Sequence, residues 1–377
     1  MKSIPAPPIP VSEPLLGGSA AAYVTECIET GWVSSQGRFI GEFEDAWARY
    51  CDGKVGVAVN SGTAALEIAV AALELEPGSE IILPSYTIIS CALAVIAAGC
   101  TPVLVDCEPD TWCMDVDAVA DKITSRTRAL MPVHIFGHPV DMDPLLALAD
   151  KHGLGVIEDA AEAHGAEYKG RRVGALGDLG CFSFYANKIV TTGEGGMVVA
   201  RSDKYAERLR YLRNMCFSTD RRFRHTELGR NFRMTNVMAA IGLSQVEAVD
   251  SHIEKKRWMG AAYGERLSFE SRIALPVERD WAKNVYWMYG IVLGDDVRSD
   301  AEAFSRLLAA QGIDTRPFFL GMHEQPVLKD RGLFSGESYA VSERIARRGL
   351  YLPSGLTLDE DQLDRVCDVV RTVLADL

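Results

Sequence analysis

Short apolar runs alternate with helix-length amphipathic segments along the first half of the chain. The runs are rich in β-branched residues and predict strands at 54–59, 80–83, 101–106, 128–134 and 154–160. Helical patterns separate them, as in 61–75, where Ser61 is a natural N-cap. Repeated strand–helix units predict an α/β fold, in which helices cover both faces of a mostly parallel sheet.

The hydrophobic pattern changes after residue 201. Residues 235–263 predict one long helix, and residues 284–293 predict a strand whose Tyr286 and Trp287 are expected in the core. A closing helix is expected from about residue 358. The change predicts a large domain over residues 1–250, which includes the N-terminal segment, and a smaller α+β domain over residues 251–377.

Composition and charge limit the partners that the chain can have. Its 39 Lys and Arg residues against 52 Asp and Glu residues give a net charge of −13, so neither nucleic acid nor an anionic membrane is expected as a partner. The apolar tract 92–105 is too short to span a bilayer, and the Pro-rich start lacks the apolar core of a signal peptide. Nine cysteines without a C-x-x-C pair are typical of reduced thiols, which predicts a cytoplasmic location.

Candidate chemistry lies just after the strands, because parallel sheets bind ligands beyond their carboxyl ends. Ser61, Gly62 and Thr63 end one strand and begin a helix, where free backbone N–H groups favour a phosphate; an ordinary helix cap is the alternative. Asp159 ends another apolar strand and needs a cationic partner if it is buried and ionised. A cap of the next helix would explain this aspartate equally well.

Lys188 lies between the apolar run CFSFYAN and a Gly-rich turn. Burial there would lower its pKa and expose the amine lone pair that attack on an aldehyde requires, although most lysines are surface residues. Ser183, five residues upstream, is a second candidate phosphate donor or an ordinary buried serine. Together, a phosphate nest, an acid for a ring nitrogen and a lysine for an aldehyde predict a pyridoxal 5′-phosphate (PLP) site.

Four motifs carry a family resemblance: NSGTAAL (60–66), VIEDAAEAHGA (156–166), FSFYANKIVTTGEGGMVV (182–199) and GRNFRMTNVMAAIGLSQ (229–245). With them the chain resembles the sugar nucleotide aminotransferases of fold type I. Within that family VSSQG, EPDTWCMD, VHIFGHP and YWM, and Glu162 where most relatives carry Gln, are similar to the GDP-perosamine synthases. The resemblance implies a large PLP-binding domain, with a mostly parallel sheet, and a smaller C-terminal domain.

The resemblance also implies roles for individual residues. Lys188 matches the family's Schiff-base lysine and Asp159 the partner of the pyridinium nitrogen, while Glu162 matches the residue beside the cofactor's phenolic oxygen. Gly62, Thr63 and Ser183 match the phosphate binders. Asn231 matches an asparagine that reaches the phosphate in the partner subunit, which implies a homodimer with shared active sites.

The chain departs from the family at the ring-stacking position, where Ile88 replaces an aromatic residue. Tyr86 stands two residues earlier, so the nature of the ring cover is open. Substrate contacts are expected in the variable segments, with the candidates Ser34, Tyr86, Tyr185, Arg224 and His323. The basic residues Arg221, Arg222 and Arg224 would meet a sugar diphosphate or form a solvated loop.

The resemblance implies transfer of an amino group from glutamate to a nucleotide-linked 4-keto-6-deoxysugar, with GDP-4-keto-6-deoxymannose as acceptor and GDP-perosamine as product. A dTDP- or UDP-linked ketosugar or an aminocyclitol precursor is the alternative acceptor, and a non-catalytic PLP-fold sensor is a remote alternative. No metal is expected. His134 and His138 have the i, i+4 spacing of a helical metal site, but Gly137 and Pro139 argue against a helix there.

Overall fold

The computed structural model describes residues 7–218, 220–221 and 223–377. The first six residues of the Pro-rich start and Arg222 of the basic loop lie outside the described residues. Helices and strands alternate through the first 200 residues, as the hydrophobic pattern predicts. The helices are α1 Ala20–Thr30, α2 Arg38–Tyr50, α3 Gly62–Ala72, α4 Ser90–Ala97, α5 Val119–Lys122, α6 Met142–His152, α7 Asp203–Arg213, α8 Asn236–Glu247, α9 Val249–Leu267, α10 Ala301–Ala310, α11 Pro326–Lys329, α12 Ala340–Arg348 and α13 Glu360–Ala375.

Within the described residues the strands form sheets of seven, four and three strands. The strands are β1 Val55–Val59, β2 Glu80–Pro84, β3 Thr101–Val105, β4 Thr127–Leu130, β5 Gly155–Asp159, β6 Glu167–Tyr168, β7 Arg171–Arg172, β8 Leu179–Ser183, β9 Gly196–Ala200, β10 Ile273–Ala274, β11 Ala282–Lys283, β12 Tyr289–Leu293, β13 Arg316–Pro317 and β14 Gly349–Leu352.

The central sheet has the strand order β1-β9-β8-β5-β4-β2-β3. Its strands from β8 to β3 pair in parallel, which confirms the predicted α/β class with a mostly parallel sheet. β9 is antiparallel to both β8 and β1. The loop 184–195 between β8 and β9 carries no crossover helix, so the chain returns in the opposite direction. Lys188 lies on this returning loop.

Two predicted elements are wrong in their extent. The expected long helix 235–263 is two helices, because Ala248 departs from helical geometry, with φ −108° and ψ 2°. α8 packs against α1 and α2, whereas α9 packs against α13, so the two helices bury their faces against different neighbours. The expected strand 284–293 begins only at Tyr289, since Tyr286 has a φ of 47° and cannot continue a ladder.

The apolar side chains form two buried clusters. One surrounds the central sheet, and the other joins the C-terminal half of α9 to α10, α13 and the four-stranded sheet. Trp287, Phe318 and Tyr339 belong to the first cluster although they follow residue 250, so the domain boundary stays a prediction. All nine cysteines lie in the described ranges and are buried and free. No described helix is long and apolar enough to cross a membrane.

Candidate active site

A cavity of about 330 Å³ opens beyond the carboxyl ends of β1, β5 and β8. It brings together most of the residues that sequence analysis predicts for the cofactor, although these lie up to 126 positions apart in the chain (62 to 188). The predicted residues that line it are Gly62, Thr63, Ile88, Asp159, Glu162, Ser183, Tyr185 and Lys188.

Asp159 is the last residue of β5 and is only 2% exposed. The Ala161 N–H donates to its Oδ1 at 3.0 Å, and the Cys91 thiol donates to its Oδ2 at 3.0 Å. Both donors are neutral, and no described cation lies within ion-pair distance of the carboxylate. A buried carboxylate in this state favours a cationic ligand in the cavity, such as a protonated ring nitrogen.

Lys188 and Glu162 face each other across the cavity floor, with 3.9 Å between Nζ and Oε1. Burial lowers the pKa of the Lys188 amine, and the Glu162 carboxylate opposes this shift. Burial likewise raises the pKa of Glu162, while the Lys188 charge and the Phe136 N–H, which donates to Oε2 at 2.8 Å, oppose it. A lysine in this position reaches the free-amine form that attack on an aldehyde needs.

The phosphate end of the predicted site is the first turn of α3. Ser61 caps the helix by accepting the Ala64 N–H at 3.1 Å, which leaves the N–H groups of Gly62 and Thr63 at the helix N-terminus. The Thr63 and Ser90 hydroxyls lie 2.9 Å apart at the same edge. A Cβ on Gly62 would lie 2.7 Å from the Ser183 Cβ, so glycine lets the helix approach Ser183.

Gly62→Ala is therefore expected to weaken PLP binding about five- to 150-fold, because overpacking costs ~1–3 kcal/mol and about 1.4 kcal/mol is a factor of ten in affinity. The added methyl group would push the helix away from Ser183. Fluorescence titration of the apoprotein with PLP measures the change. Gly41→Ala is the matched control, because Gly41 also lies in a helix but a Cβ there meets open space. Equal dissociation constants for both variants would contradict this assignment of the phosphate end.

Ile88 lines the cavity and is 41% exposed, so an aliphatic side chain stands at the expected ring cover. Tyr86 does not replace the missing aromatic ring. It is 1% exposed and packs against Phe136, Phe318 and Phe319 behind the cavity wall. Tyr86 therefore does not line the cavity, and its expected contact with substrate stays a prediction.

Four other predicted residues lie outside this cavity. Ser34 and Asn231 are exposed, and Arg224 is exposed and pairs with Asp220 at 3.0 Å. His323 is buried and lies 3.1 Å from Glu343 through its Nε2 atom, so its expected substrate contact stays a prediction. Of the five substrate candidates, Tyr185 is the one that the described structure brings into the cavity.

Sequence analysis missed three aromatic residues that line the cavity: Trp287, Phe319 and Tyr351. Trp287 is buried, as expected, but its ring centroid also lies 3.6 Å from the Lys188 Nζ. The YWM motif marks its position in the sequence. No local pattern indicates the contact, because it joins segments about 100 residues apart.

The two histidines considered as metal ligands have other partners. The Nε2 atom of His134 lies 3.1 Å from Oε2 of Glu158, and Nε2 of His138 accepts the backbone N–H of Arg279 at 3.2 Å. Within the described residues no group of three His, Cys, Asp or Glu side chains is arranged to hold a metal ion.

These residues fit PLP at each of its reactive ends. A buried amine, a buried carboxylate without a cationic partner and a helix N-terminus built around a required glycine all line one cavity. The fold and the site thus fit a PLP-dependent enzyme whose reactive group is a lysine amine.

Comparison with known proteins agrees with the geometry. Residues 15–371 match the DegT/DnrJ/EryC1/StrS aminotransferase family. The GDP-perosamine synthase of Caulobacter vibrioides is 42% identical over 98% of this chain and 99% of its own length. The dTDP-3-amino-3,4,6-trideoxy-α-D-glucose transaminase of Streptomyces venezuelae is 40% identical over 87% of this chain and 85% of its own. The crystal structure of S. venezuelae DesV aligns with a TM-score of 0.89 at 36% identity, covering 98% of this chain and 99% of that one.

The chain belongs to the DegT/DnrJ/EryC1/StrS aminotransferase family. It is a PLP-dependent sugar aminotransferase, as the resemblance of its motifs implies.

Proposed function

We propose that this aminotransferase transfers the amino group of glutamate to GDP-4-keto-6-deoxymannose and so forms GDP-perosamine. The observation that carries the acceptor is the 42% identity to a GDP-perosamine synthase along almost the whole of both chains. The cavity supports the chemistry, since it holds the amine and the carboxylate that both half-reactions share.

Bound PLP supplies an electron sink for the carbanion that forms when the donor's α-proton leaves. The residues of this chain hold and move the proton. Asp159 would hold the ring nitrogen of the bound cofactor in its protonated form. Lys188 Nζ would take the proton from the α-carbon of the donor and deliver it to the cofactor carbon that carries the amino nitrogen, and the same amine would move it in the reverse direction for the sugar ketone. Trp287, Phe319 and Tyr351 line the cavity, and the Trp287 ring lies over this amine.

Glu162→Gln is expected to lower the pKa of Lys188 in the apoprotein. The neutral amide removes a negative charge that lies 3.9 Å from Nζ and favours the ammonium form, whereas the burial that lowers the pKa remains. The pH dependence of Lys188 acylation, followed by peptide mass spectrometry, measures the shift. Glu194→Gln is the matched control, because this carboxylate lines the same cavity but is exposed. An unchanged midpoint in Glu162→Gln would contradict the coupling.

A dTDP-linked ketosugar is the second candidate acceptor, and the 40% identity to a dTDP-aminosugar transaminase favours it. The test starts from enzyme converted by glutamate to its amino form and then desalted. Each candidate ketosugar is added singly, and the return of the cofactor's visible absorption band is recorded. Return with GDP-4-keto-6-deoxymannose alone supports the proposal. Return only with a dTDP- or UDP-linked sugar keeps the aminotransferase class and overturns the acceptor.

We further propose a homodimer with shared active sites. Asn231 is exposed and outside the Lys188 cavity of its own chain, as a residue that serves a partner must be. It accepts a hydrogen bond from Arg233 at 3.0 Å, beside a second cavity of about 510 Å³ that Arg210, Arg213 and Arg233 line. Such a basic surface suits the diphosphate of a nucleotide sugar. The buried free cysteines support a reducing compartment, and a cytoplasmic location is part of the proposal.

Subunit complementation tests the shared site. Lys188→Ala removes the amine of its own chain, and Asn231→Ala is expected to impair only the partner's site. Mixed dimers contain one site with both native residues, so random assembly should restore roughly one quarter of the wild-type activity. Co-expression with two affinity tags isolates the mixed species. Activity no higher than the sum of the two homodimers, together with a monomer in ultracentrifugation, would overturn the dimer.

A further inference from the structure

Hydrogen bonds and a ring contact hold Trp287 in place. Its backbone N–H donates to the Phe136 carbonyl at 2.8 Å, and its indole N–H donates to the carbonyl of Asn187, the residue before Lys188, at 2.8 Å. The face of its ring lies 3.6 Å from the Lys188 Nζ. A cation over an indole face is attracted by the ring quadrupole, so this ring restrains the position of the amine.

These contacts form a closed ring of interactions that includes the Lys188 amine. Lys188 Nζ faces Glu162, whose second carboxylate oxygen accepts the Phe136 N–H. The Phe136 carbonyl in turn accepts the Trp287 N–H, and the ring of Trp287 returns to Lys188. Phe136 and Tyr286 both have a positive φ, of 51° and 47°, so the two segments depart from regular structure where they meet.

Lys256 of α9 holds the backbone of Trp287, one member of this ring of interactions. Its ammonium donates to the carbonyl of Trp287 at 2.7 Å and to the carbonyl of Ser354. It is 3% exposed, and no carboxylate in the described ranges lies within ion-pair distance of it. Burial lowers the pKa of Lys256 to about 7. Burying a lysine without a counter-ion costs folding free energy that a methionine at the same position would not cost. What Lys256 provides and methionine could not is its two directed hydrogen bonds.

The support that α9 gives is close and rigid. A Cβ on Gly260, one turn after Lys256, would lie 2.6 Å from the Tyr286 ring. Arg257 donates to the Asn284 carbonyl at 2.6 Å. The helix therefore contacts this segment at Asn284 and Tyr286, just before Trp287, and at the Trp287 carbonyl itself.

We propose that Lys256 and Trp287 are positioning residues for the transamination: Lys256 fixes the backbone of Trp287, and Trp287 presents its ring face to the Lys188 amine. Neither residue exchanges a proton with substrate in this arrangement. The inference rests on the aminotransferase activity and is independent of which sugar accepts the amino group.

The test compares Lys256→Met with Lys255→Met. Lys255 is the matched control, because it lies on the same helix and over the ring of Trp258 at 3.8 Å, but is only partly buried. In Lys256→Met we expect the rate constant of the glutamate half-reaction to fall at least ten-fold, with the glutamate KM within two-fold. The pH midpoint of Lys188 acylation in the apoprotein should fall by about half a pH unit or more, because the ring no longer favours the ammonium form. Lys255→Met should change neither value.

A lower melting temperature with an unchanged half-reaction rate and an unchanged acylation midpoint would assign Lys256 a purely structural role and overturn the proposal. Trp287→Phe and Trp287→Leu keep the proposal testable if Lys256→Met does not fold. The acylation midpoint should fall in the order wild type, Phe, Leu, since phenylalanine retains a weaker ring face and leucine has none. Trp258→Leu is the control for loss of an indole. Equal midpoints in all these variants would overturn the role of Trp287.

Discussion

Replacing Lys188 with alanine is expected to abolish transamination, with a residual rate below about one part in 10⁴ of the wild-type rate. Among the described residues that line the cavity, Lys188 is the one that carries an amine. No other described residue that lines the cavity has an amine that could bond covalently to the cofactor and move the α-proton of the donor. The holoprotein should also lose the visible absorption band that it owes to the bond between Lys188 and the cofactor.

Steady-state kinetics with glutamate and each ketosugar, together with an absorption spectrum, measure both effects. Lys255→Ala is the control, because it removes a lysine from the surface of α9 without changing the cavity. PLP itself should still bind, since the helix N-terminus at Gly62 and Thr63 is unchanged. Sustained turnover by the variant at more than a few per cent of the wild-type rate would refute the assignment of Lys188.

Asp159→Asn is expected to slow the half-reaction with glutamate by roughly 10²–10⁴-fold, the usual range for a positioned acid or base. The amide is almost isosteric with the carboxylate: its oxygen can still accept the Ala161 N–H, and its NH2 group can donate to the Cys91 sulfur in place of accepting the thiol proton. It has no negative charge, so the ring nitrogen of the cofactor loses the partner that keeps it protonated. The cofactor should therefore remain bound while removal of the α-proton becomes slow.

Single-turnover kinetics separate these effects, because they follow the half-reaction at a known occupancy of PLP. A deuterium isotope effect on the α-proton should increase in the variant as proton removal becomes fully rate-limiting. Asp45→Asn, an exposed residue of α2, is the control for the loss of one negative charge. A half-reaction rate within three-fold of wild type would show that Asp159 is not the partner of the ring nitrogen.

The local pattern of the sequence predicted the fold class and three of the polar residues that line the cavity. β1, β5 and β8 appear as short apolar runs. Asp159 and Ser183 are the last residues of β5 and β8, and Ser61 lies two residues after β1; all three line the cavity. This works because the carboxyl ends of neighbouring parallel strands share one edge of the sheet. The position of a residue relative to its strand is thus enough to place Ser61, Asp159 and Ser183 near each other.

Tertiary structure alone decided which residues surround the reactive amine. The Trp287 ring and the Lys256 ammonium reach the Lys188 region from elements about 70–100 residues away, and their sequence context resembles an ordinary strand and an ordinary amphipathic helix. Tyr86 and Ile88 are two residues apart, yet one is enclosed and the other lines the cavity. Local periodicity encodes which side of an element is buried, but not which distant element covers it, because that depends on how the chain packs as a whole.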